Sequence, residues 1–293
     1  MPELPEVETI ARGLASRVTG DVIESVWLGS KPEPLKSAAS EIVATLESKR
    51  IGAVHRVGKH IVFDLENGRR ASSPIKRKSP QRSPRLAGGG ARSTQNTAQW
   101  IVHLGMTGRM LVCGPDQALE KHTHAVAKLA SGRELRFVDP RRFGRLSVAH
   151  GFEAAGSEPL EVGLDAFIHL FRGRKTPIKS ALLNQKLLRG VGNIYADESL
   201  FRSGVRPRRR AASLTRKELT LLYAAVQEVL KEAIALGGSS VSDYVDADGE
   251  EGFFQLQHRV YGREAEPCLV CKTPIKRVVI AGRSSHYCPR CQK

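Results

Sequence analysis

Hydrophobic positions along this chain follow two different periods, and the change of period divides it. Near the start, Val7, Ile10 and Leu14 recur at helical spacing behind Pro5 and Glu6, residue types that suit a first helical turn. The pattern predicts an opening helix with one buried face. Short apolar or alternating runs follow at 22–28, 51–57, 61–65, 100–103, 125–129, 135–138 and 146–148, separated by glycine, proline or charged turns. These are predicted strands. One predicted helix, near 37–47, interrupts them. The expected unit is a β-sandwich or barrel flanked by helices.

Beyond Glu158-Pro159 the helical period takes over. Helices are predicted at 164–171, 178–188 and 193–202, the last after a Gly190-Val191-Gly192 turn. Thr215-Arg216-Lys217-Glu218 has the form of a capping box. It opens a long helix whose apolar stripe includes Leu219, Leu222, Val226, Val229, Leu230 and Ala233, and Gly237-Gly238 closes it. A glycine-rich acidic loop then runs to Gly252 and a cysteine module completes the chain. Between 68 and 99 neither period holds; Ser, Pro, Gly, Arg and Lys dominate, as in a flexible loop with little to bury. The fold class expected is α+β, with an N-terminal β-sandwich over 1–150 (basic insert at 69–99), a helical unit over 151–256 and a metal finger over 257–293.

Charge adds a partner class. The 293 residues carry a net charge of +16. Eight of those charges lie between Arg69 and Arg92, so the remainder is still basic at +8. Such an excess favours a polyanion, nucleic acid ahead of an anionic membrane surface. No apolar run approaches the roughly 18 residues of a membrane span. An apolar signal-peptide core is also lacking, which predicts an intracellular protein.

Several clusters bring chemistry. Cys268-x-x-Cys271, sixteen residues, then Cys288-x-x-Cys291 presents four thiolates to one tetrahedral Zn2+. A closed four-thiolate set has no room for substrate, so the metal is expected to be structural. Lys276, Arg277, Arg283 and His286 between the knuckles suit a finger pressing on phosphates. Cys113 reads as a small core hydrophobe. In Lys186-Leu187-Leu188-Arg189-Gly190-Val191-Gly192-Asn193, two helices meet at a Gly-x-Gly turn, which suits either a phosphate cradle or a plain helical hairpin. Asp139-Pro140-Arg141-Arg142-Phe143-Gly144 and His103-Leu104-Gly105-Met106-Thr107-Gly108 each place a large side chain among small ones, as a duplex-inserting wedge or as packing. Lys59 taken alone is a solvated lysine. Finally, removal of Met1 from Met1-Pro2-Glu3-Leu4-Pro5-Glu6 leaves a secondary amine beside two carboxylates. A free amino terminus has a pKa near ~8, so a useful fraction is nucleophilic at neutral pH and can form an iminium ion.

Together these segments resemble the bacterial formamidopyrimidine-DNA glycosylase family, the 8-oxoguanine DNA glycosylases. The resemblance runs from Pro2 to Lys293 apart from the insert, and rests on PELPEVET at 2–9, GKHI at 58–61, HLGMTG at 103–108, DPRRFG at 139–144, GVGNIYADESLF at 190–201, VYGR at 260–263 and the four cysteines. It implies that Pro2 is the nucleophile at C1′ of the damaged nucleotide. Glu3 would be the acid/base, with a pKa above that of an exposed glutamate, and Glu6 its support. Lys59 would contact the phosphate by the lesion and assist catalysis, and Arg283, also placed with the catalytic set, would grip the DNA backbone from the zinc finger. Met106, Arg141 and Phe143 would fill the gap left by the everted base, with Arg142 and His122 nearby. Lys179 and Asn193 would contact phosphates, the latter in a helix–two-turn–helix motif. The loop 239–252 would close over the everted purine. At Lys121-His122-Thr123-His124 the family more often has Asp at the third position. The activity implied is a bifunctional glycosylase/AP lyase acting on oxidised purines in duplex DNA by a Schiff base and β,δ-elimination, within base excision repair. One structural Zn2+ and no organic cofactor, a monomer, and a bacterial cytoplasmic setting complete the expectation. Two alternatives are an endonuclease VIII-type enzyme for oxidised pyrimidines and a non-catalytic zinc-finger DNA-binding protein. Leu4 and the PELPEVE wording favour the purine branch, and an intact Pro2-Glu3 with Lys59 argues against a mere binder.

Overall fold

A computed structural model describes residues 1–67, 97–240 and 252–293. The N-terminal part is a pair of four-stranded antiparallel sheets. One has the order β1-β6-β7-β5, from β1 (Ile23–Leu28), β5 (Arg109–Cys113), β6 (Thr123–Leu129) and β7 (Glu134–Val138). The other is β2-β3-β4-β8, from β2 (Lys49–Val57), β3 (His60–Asn67), β4 (Ala98–His103) and β8 (Arg145–His150). Alternate residues of each sheet, such as Ile61, Phe63, Trp100 and Val102 on one and Ala125, Ala127, Leu135 and Phe137 on the other, form a single core. Phe63 and Trp100 stack in it with ring centroids 5.0 Å apart. Helix α1 (Leu4–Val18) and helix α2 (Ala39–Leu46) seal that core with Val7, Ile10, Leu14, Ile42 and Leu46.

β3 and β4 pair without a break from His60↔His103 to Leu65↔Ala98, so the long connection between them leaves the sheet intact. The basic stretch from 69 to 96 itself lies outside the described residues, as does 241–251 of the loop expected to close over a base. β5 was not expected, and the zinc-finger hairpin of β9 (Lys276–Ile280) and β10 (Arg283–Tyr287) is also an addition.

The helical part comprises α3 (Leu164–Phe171), α4 (Ile178–Leu182), α5 (Asn193–Arg202) and α6 (Arg216–Ala235). α6 starts at the expected box: Thr215 Oγ1 accepts from Glu218 N at 3.2 Å while Glu218 Oε2 accepts from Thr215 N at 2.8 Å. α4 is shorter than the predicted 178–188 helix. Asn184 stops it by taking the Lys186 amide with its own side chain at 3.0 Å, in competition with the helical ladder. Among the described residues no helix is long and apolar enough to cross a membrane.

Leu4 decides where the N-terminus sits. Val7, Ile10 and Leu14 of α1 belong to the sheet core, but Leu4 packs with Val191, Tyr195 and Phe254 in the helical core. One helix is therefore shared by both cores, and its first turn lies on the seam. Arg56 clamps that seam: Nε donates to Glu8 Oε2 at 2.8 Å, and Nη1 and Nη2 to the two oxygens of Glu158 at 3.0 and 2.9 Å. Arg189 adds a contact to Glu158 at 3.3 Å.

Candidate active site

At the seam lies a cleft of about 480 Å³ whose lining includes Met1, Glu3, Lys59, Met106, Asn193, Tyr261 and Arg283. Pro2 is buried, and Met1, which is exposed, lines the cleft next to Glu3. Glu3 and Glu6 are almost wholly buried. Glu6 works as a hub: it accepts from Glu3 N at 2.7 Å, from Ser239 N at 2.8 Å and from the Tyr195 hydroxyl. It thereby ties the first turn of α1 to α5 and to the stem of the 239–252 loop.

Glu3 owes its setting to the Gly-x-Gly turn. Ile194 N, in the first turn of α5, donates to Glu3 Oε1 at 3.2 Å, so the positive end of that helix faces the carboxylate. A Cβ at Gly192 would come within 2.1 Å of the Glu3 carboxyl carbon, and one at Gly190 (φ +90°) within 2.8 Å of Leu4. The turn read as a phosphate cradle thus first makes room for a carboxylate. Burial raises the Glu3 pKa to about 7, against the pull of Lys59, the α5 amide and the chain terminus. Burial likewise raises Glu6, although the hydrogen bonds from Tyr195 and Ser239 oppose it. Lys59 is lowered by its own burial and by Arg283, with Glu3 and Glu6 working the other way. A buried acid whose pKa lies at about 7 is suited to moving protons near neutral pH. We expect Gly192→Ala to displace the Glu3 carboxylate and cost about 100-fold in turnover while the protein remains folded, as a misplacement near one ångström does. Unchanged turnover would show that the turn does not seat Glu3.

Residues 1–146 match the formamidopyrimidine-DNA glycosylase N-terminal domain, 155–245 the formamidopyrimidine-DNA glycosylase H2TH domain, and 265–293 the zinc finger found in these glycosylases and in IleRS. The chain belongs to the formamidopyrimidine-DNA glycosylase family. It is similar to formamidopyrimidine-DNA glycosylases of Solibacter usitatus (43% identical) and Desulfitobacterium hafniense (40%), matching all of this chain and all of theirs. Among solved structures it resembles MutM (Fpg) of Thermus thermophilus at 39% identity and TM-score 0.80, covering 99% of this chain and 98% of that one. It also resembles the Lactococcus lactis Fpg in complex with abasic-site DNA at 30% identity and TM-score 0.83, covering 99% of each.

The family's zinc finger has its ligands in place. The sulfurs of Cys268, Cys271, Cys288 and Cys291 all lie within 4.8 Å of one another, with Cys268 and Cys291 3.9 Å and Cys271 and Cys288 3.4 Å apart. Tetrahedral Zn–S bonds of about 2.3 Å require sulfurs roughly 3.8 Å apart. The site fits one structural Zn2+. Phe201 of α5 packs with Cys268, Ile275 and Cys288, so the finger is seated on the helix whose start faces Glu3. Glu198, on the same helix, accepts from the amides of Arg259, Val260 and Tyr261 at 2.9, 3.0 and 2.9 Å, which brings Tyr261 to the cleft.

The remaining expected residues divide. Arg283 is exposed at the tip of the finger hairpin and lines the cleft. Met106 and Phe143 are 41% and 52% exposed, and the Arg141 guanidinium lies 4.8 Å from the centre of the Phe143 ring. Arg142 is exposed and paired with Glu33 at 2.7 Å, and His122 is exposed. Asn193 lines the cleft with its Oδ1 buried and unbonded. Lys179 lies inside the fold. It is 0% exposed, and its Nζ donates to Asp197 Oδ1 at 2.6 Å and to Ser284 O at 2.7 Å. An ammonium enclosed in this way braces the strand that begins at Arg283. Sequence reasoning missed Tyr195, Ser239 and Asp197, which act through contacts far apart in the chain. A larger cleft of about 720 Å³ between α5, α6 and the finger contains the Arg202–Glu232 ion pair and none of the groups around Glu3.

Proposed function

We propose that the protein is a bifunctional DNA glycosylase/AP lyase that removes oxidised purines from duplex DNA. The observation that carries this reading is the start of the chain, just ahead of α1: Pro2 and Glu3 are buried at the seam where Lys59 also lies, and burial lifts the Glu3 pKa to about 7. Once Met1 is removed, the Pro2 nitrogen is a secondary amine in the cleft. It attacks C1′ as the glycosidic bond breaks and the departing base takes a proton; the nitrogen then gives up its own proton, and its lone pair expels O4′, which is protonated as the sugar ring opens to an iminium ion. Loss of a proton from C2′ then expels the 3′ phosphate by β-elimination, and δ-elimination releases the 5′ phosphate. Glu3 exchanges protons with the opening sugar, and Lys59 and Arg283 hold the flanking phosphates. Met106, Arg141 and Phe143 support the strand where the base has left the stack. Zn2+ keeps the finger folded and takes no part in the chemistry. The enzyme acts as a monomer in the bacterial cytoplasm.

One neighbour is a Lactococcus lactis Fpg in complex with DNA containing an oxidised pyrimidine, which makes lesion choice the point to test. Single-turnover incision is expected to be at least about tenfold faster on 8-oxoguanine opposite cytosine than on thymine glycol, a modest pocket discrimination. The reverse order would place the chain with the pyrimidine enzymes. No incision of either would leave a DNA-binding protein.

A further inference from the structure

The two exposed tips come from separate connections: residues 104–108 lead from β4 to β5, and residues 139–144 from β7 to β8. What joins them is buried. Asp139 is 0% exposed, and no cation contacts its carboxylate among the hydrogen bonds and ion pairs described. Oδ2 accepts from Gly144 N at 2.7 Å, and Oδ1 accepts from Arg141 N at 3.2 Å and from the Thr107 hydroxyl at 2.5 Å. Thr107 Oγ1 also lies 3.4 Å from Arg141 N. The Asp139 carbonyl accepts from Arg142 N at 3.3 Å and lies 2.9 Å from His124 Nε2. The loops also touch directly: a Cβ at Gly105 would stand 2.5 Å from Gly144 N and from the Phe143 carbonyl carbon.

A buried carboxylate satisfied by amides and a hydroxyl forms strong, directional bonds, and losing one leaves a group that water cannot reach. Asp139 spends its acceptors on both loops at once. Met106 and Phe143 therefore cannot shift independently without breaking the bond at Thr107.

We infer that Asp139 is a positioning residue that, through the Thr107 hydroxyl, holds Met106 and Phe143 as one rigid wedge for base eversion. The inference deepens the proposed glycosylase reading and rests on it. A wedge set in advance fills the vacated space when the base leaves; two independent tips must first be ordered.

Thr107→Val tests this with little change of shape, removing the hydroxyl while leaving Asp139 bonded within its own loop. Thr107→Ser keeps the hydroxyl and serves as the rescue. Three readouts are compared in folded full-length protein: single-turnover release of 8-oxoguanine, cleavage at a preformed abasic site, and fluorescence of 2-aminopurine beside an uncleavable lesion analogue. Thr107→Val is expected to slow base release about tenfold, the loss of one hydrogen bond to a buried charge. Cleavage at the abasic site, where no base must be moved, stays within about twofold, and Thr107→Ser recovers base release. The 2-aminopurine signal of Thr107→Val falls alongside base release. Equal slowing of both reactions, or slowing of neither, overturns the inference. If the parent cleaves neither substrate, the amine mechanism has failed, and the 2-aminopurine signal alone decides: equal signals for parent and Thr107→Val overturn the wedge.

Discussion

A chain that keeps any residue ahead of Pro2 is expected to lose incision of 8-oxoguanine DNA by about a thousandfold or more, the scale on which enzymes lose their nucleophile. In the unprocessed chain the Pro2 nitrogen is part of a peptide bond, and resonance with the carbonyl removes its lone pair from use. No other α-amine lies at the seam. Borohydride should trap the processed protein on lesion-bearing duplex, and mass spectrometry should locate the adduct on Pro2. An uncleavable N-terminal extension should give neither trapping nor incision. Full-speed incision by the extended chain, or an adduct mapped to Lys59, would move the covalent step to another residue.

The second large effect concerns Glu3, where Gln keeps the shape and removes the charge. Loss of a general acid/base costs on the order of 10²–10⁴-fold, so Glu3→Gln should fall in that range for base release. The same substitution should stabilise the protein in alkaline solution. Folded Glu3 keeps its proton until about pH 7, whereas an ordinary glutamate releases it near 4.5. Between those values the folded state binds more protons than the unfolded state, so stability declines as pH rises from 4.5 towards 7 and is not regained above it. Gln carries no such penalty. At pH 8 the variant should exceed the parent by on the order of 3 kcal/mol, and near pH 4.5 the two should converge. Thermal unfolding at both pH values measures this. A variant less stable than the parent at pH 8 would mean that the ionised carboxylate holds the seam together, contrary to the raised pKa.

Much of this arrangement was legible in the sequence, for reasons that particular residues make plain. α3 and α5 have the predicted bounds because their apolar spacing is regular and a glycine precedes each. Most strands of the two four-stranded sheets show as short apolar or alternating runs, β5 being the exception. β9 and β10 do not: Lys276, Arg277, Arg283 and Ser284 look like surface loop because a small metal finger has little to bury. Lys179 illustrates a different limit. A lysine beside a DNA-binding motif suggests phosphate, and only Asp197, eighteen positions away, reveals that its charge is already taken. The Glu3 pKa belongs to the same class. A raised value was expected, but its cause is burial at the seam, opposed by Lys59 and the Ile194 amide, and no local spacing links those positions to the second residue after Met1.

Because Leu4 docks into the helical core, the order of biosynthetic events matters. Pro2 emerges from the ribosome long before α5 and α6 exist to enclose it. Methionine excision therefore has its best opportunity on the nascent chain, before the second core closes over Leu4. On the proposed amine mechanism, removal of Met1 competes with translation of the last third of the protein.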